Sequence, residues 1–271
     1  MTTSNNKMAV KRKKQEVAVV PEGGIVLAQS YGDDAGKGLD LDRDDIKIPL
    51  LKLIQKDSKE LDPDEDTYND QLEPGQILNT ALNQAVPEDT VFVIASRRKS
   101  FVEWLPDRGG FVADHDRNAP LVSTAQRDTD GKLVLPNGNE LVETKSLFLV
   151  QLDNAGNPTG GVVIPFNGSK LSTWTSYWTR IDGARVQTDN GPRRLTDVVP
   201  LWALTVRIGT KFVKNAKGKF YNYTLEPAVE NDIGKSLLSN ESPVYILARE
   251  FAQAVEEGRA TAEVEVEDSH Y

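Results

Sequence analysis

The chain contains no cysteine among its 271 residues. That excludes disulfides, thiolate metal sites and a cysteine nucleophile, and it suits a reducing compartment such as the cytoplasm. Imidazoles are scarce too: His115 and His270 are the only ones, so a histidine-dependent triad would rest on His115. No apolar run approaches the ~18 residues of a membrane span. Met1 to Gln15 carries no apolar core behind its charges and does not read as a secretory signal. Neither a GxxxxGKS/T phosphate loop nor a GxGxxG turn occurs, and no cofactor is expected.

What the chain has is charge sorted along its length. The net charge is −9, yet residues 161–225 hold ten Lys/Arg (Lys170, Arg180, Arg185, Arg193, Arg194, Arg207, Lys211, Lys214, Lys217, Lys219) against three acids (Asp182, Asp189, Asp197), a net of +7. Trp174, Tyr177, Trp178, Phe212, Phe220, Tyr221 and Tyr223 alternate with those cations. From Glu256 to Tyr271 six acids face one cation, Arg259. A basic aromatic surface with an acidic tail is the pattern of a protein that grips a polyanion and carries a competitor for the grip. Against that stands the plain reading, in which these lysines are solvated strand and turn charges.

Along the chain, residues 1–45 form a basic, Gly-rich arm around Lys11-Arg12-Lys13-Lys14. Asp44 to Gln55 is the first structured element, an edge strand or a short helix starting near Pro49. Residues 57–70 form an acidic loop. Thr90–Ala95 reads as a buried strand, Lys99–Leu105 as its partner, and Asp107 to Ala119 as a loop. Pro136-Asn137-Gly138-Asn139 and Asp153 to Pro158 each join a pair of strands. Leu171, Trp174, Trp178 and Ile181 then fall on one face of an amphipathic helix. Residues 182–197 form a basic loop, and Lys211–Lys214 faces Lys219–Leu225 across a turn. In the second arm of that hairpin Tyr221 and Tyr223 share one side. Ser242-Pro243 opens a last helix with Val244, Leu247, Phe251 and Val255 as its buried stripe, within residues 231–258, and residues 259–271 form the acidic tail. The expected class is mainly β with accessory helices (α+β): an OB-like Greek-key barrel with insertions over 46–230, with a β-sandwich as the competing architecture.

Catalytic constellations are sparse. Asp114-His115-Asp116 offers metal-ligand types, but neighbours on an extended strand point to opposite faces, so convergence would require a sharp loop. No metal and no enzyme activity are expected. Binding is better supported: single strands are held by cations that track phosphates and rings that stack bases. The candidates are Lys170, Arg180, Arg193, Arg194, Lys211, Lys214 and Lys219 for phosphates, and Tyr177, Tyr221 and Tyr223 for bases. Trp174 and Trp178, at helical spacing, fit the core better than a platform, and Arg97-Arg98-Lys99 with Trp104 is a weaker second patch.

The order of parts resembles bacteriophage proteins grouped with single-stranded-DNA-binding proteins. The resemblance rests on Ile48-Pro49-Leu50-Leu51-Lys52-Leu53-Ile54-Gln55, on Phe101-Val102-Glu103-Trp104 followed by Gly109-Gly110, on Ser169-Lys170-Leu171 with Trp174 to Trp178, and on Lys219, Tyr221 and Pro227. The acidic tail with a terminal aromatic is also similar to the end of short-tailed-phage single-stranded-DNA-binding proteins, which are OB barrels whose tails contact replication partners. Those tails usually end in Phe, whereas this one ends in His270-Tyr271. The resemblance implies non-sequence-specific binding of single-stranded DNA in phage replication or recombination. It also implies that Glu263, Glu265, Glu267, Asp268 and Tyr271 dock on replication or recombination proteins. The rival readings are a virion structural or assembly protein without nucleic-acid affinity and a metal-dependent nuclease at residues 114–116. A homo-oligomer is compatible with the sequence; a membrane partner is not expected.

Overall fold

A computed structural model describes residues 47–215, 218–230, 232–258 and 261–262. The expected arm at 1–45, Lys217 and the tail residues Glu263, Glu265, Glu267, Asp268 and Tyr271 lie outside the described residues. In chain order the strands are β1 (Lys47–Ile48), β2 (Leu51–Leu53), β3 (Ile77–Asn79), β4 (Gln84–Ala85), β5 (Val91–Trp104), β6 (Phe111–Asp116), β7 (Gln126–Arg127), β8 (Leu133–Val134), β9 (Glu140–Leu152) and β10 (Pro158–Phe166). Helix α1 (Leu171–Gly183) follows, then β11 (Arg185–Thr188), β12 (Gly191–Arg194), β13 (Thr205–Asn215), β14 (Gly218–Pro227), helix α2 (Pro243–Glu256) and β15 (Thr261–Ala262).

Two long strands organise the main sheet. β5 and β9 run antiparallel from Phe92↔Gln151 to Trp104↔Glu140. At the inner end β13 pairs with β5, β14 with β13 and β10 with β9, giving the order β14-β13-β5-β9-β10. At the outer end β6 pairs with β5 and β8 with β9, so the β5–β9 ribbon projects beyond the core. The result is a mainly β protein, a curled antiparallel half-barrel sheet with two helices. The curl brings the edge strands towards each other: Phe166 on β10 and Tyr223 on β14 have ring centroids 5.5 Å apart.

Residues 48–55 cross the gap between those edges. Val163 N–H donates to the Pro49 carbonyl, 2.9 Å, and Leu50 bridges Val163 in parallel. Farther on, the Gln55 amide pairs with the Tyr221 backbone, donating to its carbonyl at 2.9 Å and accepting from its N–H at 2.8 Å. A side chain thus completes the edge of β14 where no further strand is available. Pro49 falls between β1 and β2, where its missing N–H costs no ladder bond.

The concave face buries Phe92, Ile94, Leu147, Leu149, Ile164, Val206 and Ile208 against Trp174, Tyr177, Trp178 and Ile181 of α1. Those four α1 residues repeat at helical spacing and form its buried stripe. The Arg185 guanidinium donates to the carbonyls of Asp182, Gly183 and Ala184 at 3.0, 3.1 and 3.2 Å, satisfying the end of the helix. On the convex face α2 covers Val93, Val150 and Leu152 with Val244 and Ala248. Its stripe is offset from the expectation: Ala248 and Ala252 are buried and Leu247 faces solvent. The small alanines let the helix lie close to the sheet, where Phe251 approaches so closely that a Cβ on Gly161 would lie 2.8 Å from the ring.

Three expectations are corrected. Residues 90–95 and 99–105 are halves of one strand, β5, with an irregularity between Ile94 and Ser96, and its partner is β9. Arg97-Arg98-Lys99 looks like a break because it is polar, but here the ribbon leaves the core and no burial is required. The expected loop at 107–119 contains β6, paired with β5. The expected loop at 182–197 contains the β11–β12 hairpin.

Candidate nucleic-acid interface

The antiparallel register decides which residues of the β13–β14 hairpin share a face. Phe212 lies opposite Tyr221, Lys214 opposite Lys219, and Thr210 opposite Tyr223. Because opposed residues project to the same side and the side-chain period is two, these six lie together on one face. That face passes from core to solvent along the hairpin. Tyr223 is 0% exposed and donates its hydroxyl to the Leu51 carbonyl, 3.1 Å. Tyr221 is half-buried, Phe212 is 50% exposed, and Lys214 and Lys219 are exposed.

Tyr221 is held from two sides. Phe212 meets it edge-on at 5.4 Å and 67°. Gly75 lies against its other side, where a Cβ would fall 2.5 Å from Cε1; with φ at +96°, glycine is required there both for conformation and for space. Thr210 Oγ1 donates to the Gly75 carbonyl at 2.6 Å. The hairpin therefore presents a braced aromatic pair beside two lysines, with Lys211 exposed on the reverse face. From Gly209 to Tyr223 there is no acidic residue.

The remaining sequence candidates are dispersed. Tyr177 is buried in the core under α1, and burial pushes its hydroxyl pKa up; it offers no face to a base. Tyr223 is equally enclosed, and both are corrected from stacking positions to core positions. Lys170 is corrected as well: it is 9% exposed at the start of α1, with Nζ 5.5 Å from the Tyr223 ring centroid, so its charge is spent inside the fold. Arg194 binds acids of its own chain, Asp197 at 3.3 Å and Asp182 at 3.6 Å. Arg193 on β12 and Arg180 on α1 are exposed. The hairpin thus unites Lys211, Lys214, Lys219 and Tyr221, with Arg180, Arg193 and Arg194 on other elements.

A second cationic aromatic surface went largely unread in the sequence. On one face of the β5–β9 ribbon Arg97 lies over the Trp178 ring at 4.7 Å, Lys99 over Phe101 at 5.2 Å and Lys145 over Trp174 at 5.9 Å. Lys99 and Lys145 are directly opposed. Glu143 relieves the like-charge contact, 3.1 Å from Lys99 and 3.5 Å from Lys145. The Trp178 indole nitrogen is buried with no acceptor among the described residues. The tryptophans are core residues that show only their rims, as their helical spacing suggested. The signal that could have exposed the patch is the i, i+2 spacing of Arg97, Lys99 and Phe101.

At the 114–116 segment the strand alternation separates the three side chains. Asp114 meets Arg98 at 3.5 Å, and His115 Nε2 lies 2.6 Å from Glu103 Oε2. Glu103 also accepts from Asn139 at 2.6 Å and Asn137 at 3.4 Å, and with the Asn139 bond foremost these contacts hold its carboxyl below the ordinary range despite burial. Among the described residues no group of three potential ligands is placed to hold a metal ion, and no helix is long and apolar enough to cross a membrane.

Fold and surface together describe a curled, mainly β protein with a projecting cationic hairpin and ribbon. The model of the Pam3 phage gp34-like protein family matches residues 21–261, and the chain belongs to that family of phage proteins. No curated protein and no solved structure matches it.

Proposed function

We propose that this protein binds single-stranded DNA without sequence specificity, in support of phage replication or recombination in the host cytoplasm. The observation that carries the reading is the acid-free β13–β14 hairpin, where Phe212 and Tyr221 form a braced pair on the same face as Lys214 and Lys219. Exposed ring plus adjacent cations is the pairing that single strands require, since each stacked base contributes about 1–3 kcal/mol and the phosphates need neutralising. The OB-like assignment belongs to the same proposal: five antiparallel strands, β14-β13-β5-β9-β10, curl around one core as OB barrels do. Arg180 and Arg193 add long-range attraction, and the acidic tail supplies the competitor and the docking segment for replication proteins. Titration of labelled single-stranded and duplex oligonucleotides tests this. Single-strand affinity should fall about twentyfold between 50 and 200 mM salt if three lysines release counterions at a slope of about −0.7 each. Salt-insensitive binding, or none, refutes it.

One observation favours a second reading, a virion structural or assembly protein. Leu105, Phe111, Val112 and Leu121 are exposed in and near β6, with Phe111 edge-on to Trp104 at 6.0 Å. An apolar surface of this kind fits contacts between protein subunits. On that reading the titration shows no binding.

A further inference from the structure

The two cationic aromatic surfaces lie towards opposite ends of the half-barrel. β13 and β5 overlap only at Thr205–Arg207 and Val91–Val93, and they run antiparallel from there. The hairpin residue Phe212 is five positions beyond that overlap in one direction. Lys99 is eight positions beyond Val91 in the other, with one irregularity between. At about 3.3 Å per strand residue the two are up to about 40 Å apart along the sheet. A strand stacked at about 3.4 Å per nucleotide would need roughly 12 nucleotides to cover that span, within the roughly 4–16 known for single OB folds.

We propose that Arg97, Lys99 and Lys145 form a second phosphate-contacting segment for the same nucleic-acid strand; this rests on the single-strand reading above. A guanidinium stacked on an indole keeps its N–H edge free for a phosphate, and the stacking holds it in place before the ligand arrives. Arg97 over Trp178 has that arrangement, and Arg97 is exposed. Lys99 and Lys145 converge on a single carboxylate, Glu143, so three cations face one acid and the surface retains net positive charge. A phosphate arriving between the two lysines takes over the bridging role of Glu143. The partner is a polyanion long enough to reach from ribbon to hairpin, which distinguishes it from a mononucleotide or a short oligonucleotide.

The test is fluorescence anisotropy with labelled oligothymidylates of about 6 and about 20 nucleotides. It compares the full-length chain, the ribbon variant Arg97→Ala/Lys99→Ala/Lys145→Ala and the hairpin variant Lys211→Ala/Lys214→Ala/Lys219→Ala. The ribbon variant should bind the longer oligonucleotide at least tenfold more weakly, and its salt slope should fall by about 2, three contacts at about 0.7 each. The gain in affinity from 6 to 20 nucleotides should shrink in both variants. Because Arg97 also covers Trp178, Lys99→Gln/Lys145→Gln serves as a second variant that leaves that contact in place; its slope should fall by about 1.4. If the ribbon variants bind the longer oligonucleotide with unchanged affinity and slope while the hairpin variant is weakened, the second segment does not exist and the single-strand reading stands. If the unmodified chain binds neither oligonucleotide, both fall.

Discussion

Replacing Gln55 by alanine should loosen the closure of the half-barrel, and the cost follows from two hydrogen bonds. The side-chain amide donates to the Tyr221 carbonyl at 2.9 Å and accepts from the Tyr221 N–H at 2.8 Å. Each is worth about 1 kcal/mol net, and a backbone group left without a partner costs about 1–3 kcal/mol when water is excluded. Gln55 is half-buried, so water reaches part of the vacated site, and the expected loss is about 2 kcal/mol. For a chain of this size that lowers Tm by about 4–8 °C. Differential scanning calorimetry measures the loss, and amide hydrogen exchange at Tyr221 reports its location. Gln55→Glu keeps an acceptor for the N–H and sets an anion against the carbonyl, so it should not restore stability. An alanine variant that melts within about 1 °C of the unmodified chain, with Tyr221 exchange unchanged, would show that the contact closes nothing.

Two further outcomes follow from the geometry. Phe212→Ala should weaken single-strand binding by about 1–3 kcal/mol, five- to 150-fold, while leaving Tm nearly unchanged because the ring is half in solvent; a fall in Tm without loss of affinity would make Phe212 a packing residue. Asn139→Ala should cost stability in a pH-dependent way. The Glu103 carboxyl is held below its ordinary pKa, Asn139 being the largest cause, so its contribution is present above the unfolded pKa and lost as pH falls through the folded one. The deficit of the variant, about 1.5–3 kcal/mol for a charged hydrogen bond, should therefore be full at neutral pH and shrink as the pH falls below the ordinary carboxylate range; a deficit independent of pH would mean that the asparagine acts only through packing.

The hairpin and α1 were legible in the sequence because their periods are local. Tyr221 and Tyr223 alternate with Phe220 and Asn222, which fixes their shared side; Trp174, Trp178 and Ile181 fall on one helical face. What alternation does not contain is depth. Only Asn222 separates half-buried Tyr221 from Tyr223 at 0% exposure, because β14 enters the core of the half-barrel between them. Lys170 carries a charge that reads as surface, but its position at the start of α1 turns it over an aromatic ring. The contacts of residues 48–55 span 166 and 172 positions of sequence, and nothing in a single chain announces a pairing so distant. Pro49 showed only that the element would be interrupted. Arg97-Arg98-Lys99 was obscured for the opposite reason: Arg97 and Arg98 are adjacent and both exposed, so the inside–outside alternation lapses there before burial resumes at Ser100.

The net charge of −9 does not oppose the proposed binding, and the distances explain why. Screening limits exposed charges to about 8–10 Å at physiological salt, so each surface answers to its immediate neighbours and not to the molecular total. At the ribbon those neighbours are Arg97, Lys99 and Lys145 against Glu143. At the hairpin they are three described lysines on a segment without acids, next to a turn that carries Glu73 two residues before the Gly75 that packs on Tyr221. Local excess is thus positive at both surfaces and opposed by only one or two carboxylates. The aromatic rings amplify that excess. A cation resting on Trp178 or Trp174 is drawn towards the quadrupole of the ring and keeps its outer edge in water, so it is oriented before a phosphate arrives, and the entropy of ordering a long side chain is not charged against binding. Burying the tryptophans, which removes them as stacking platforms, is what makes them rigid supports for the cations above them.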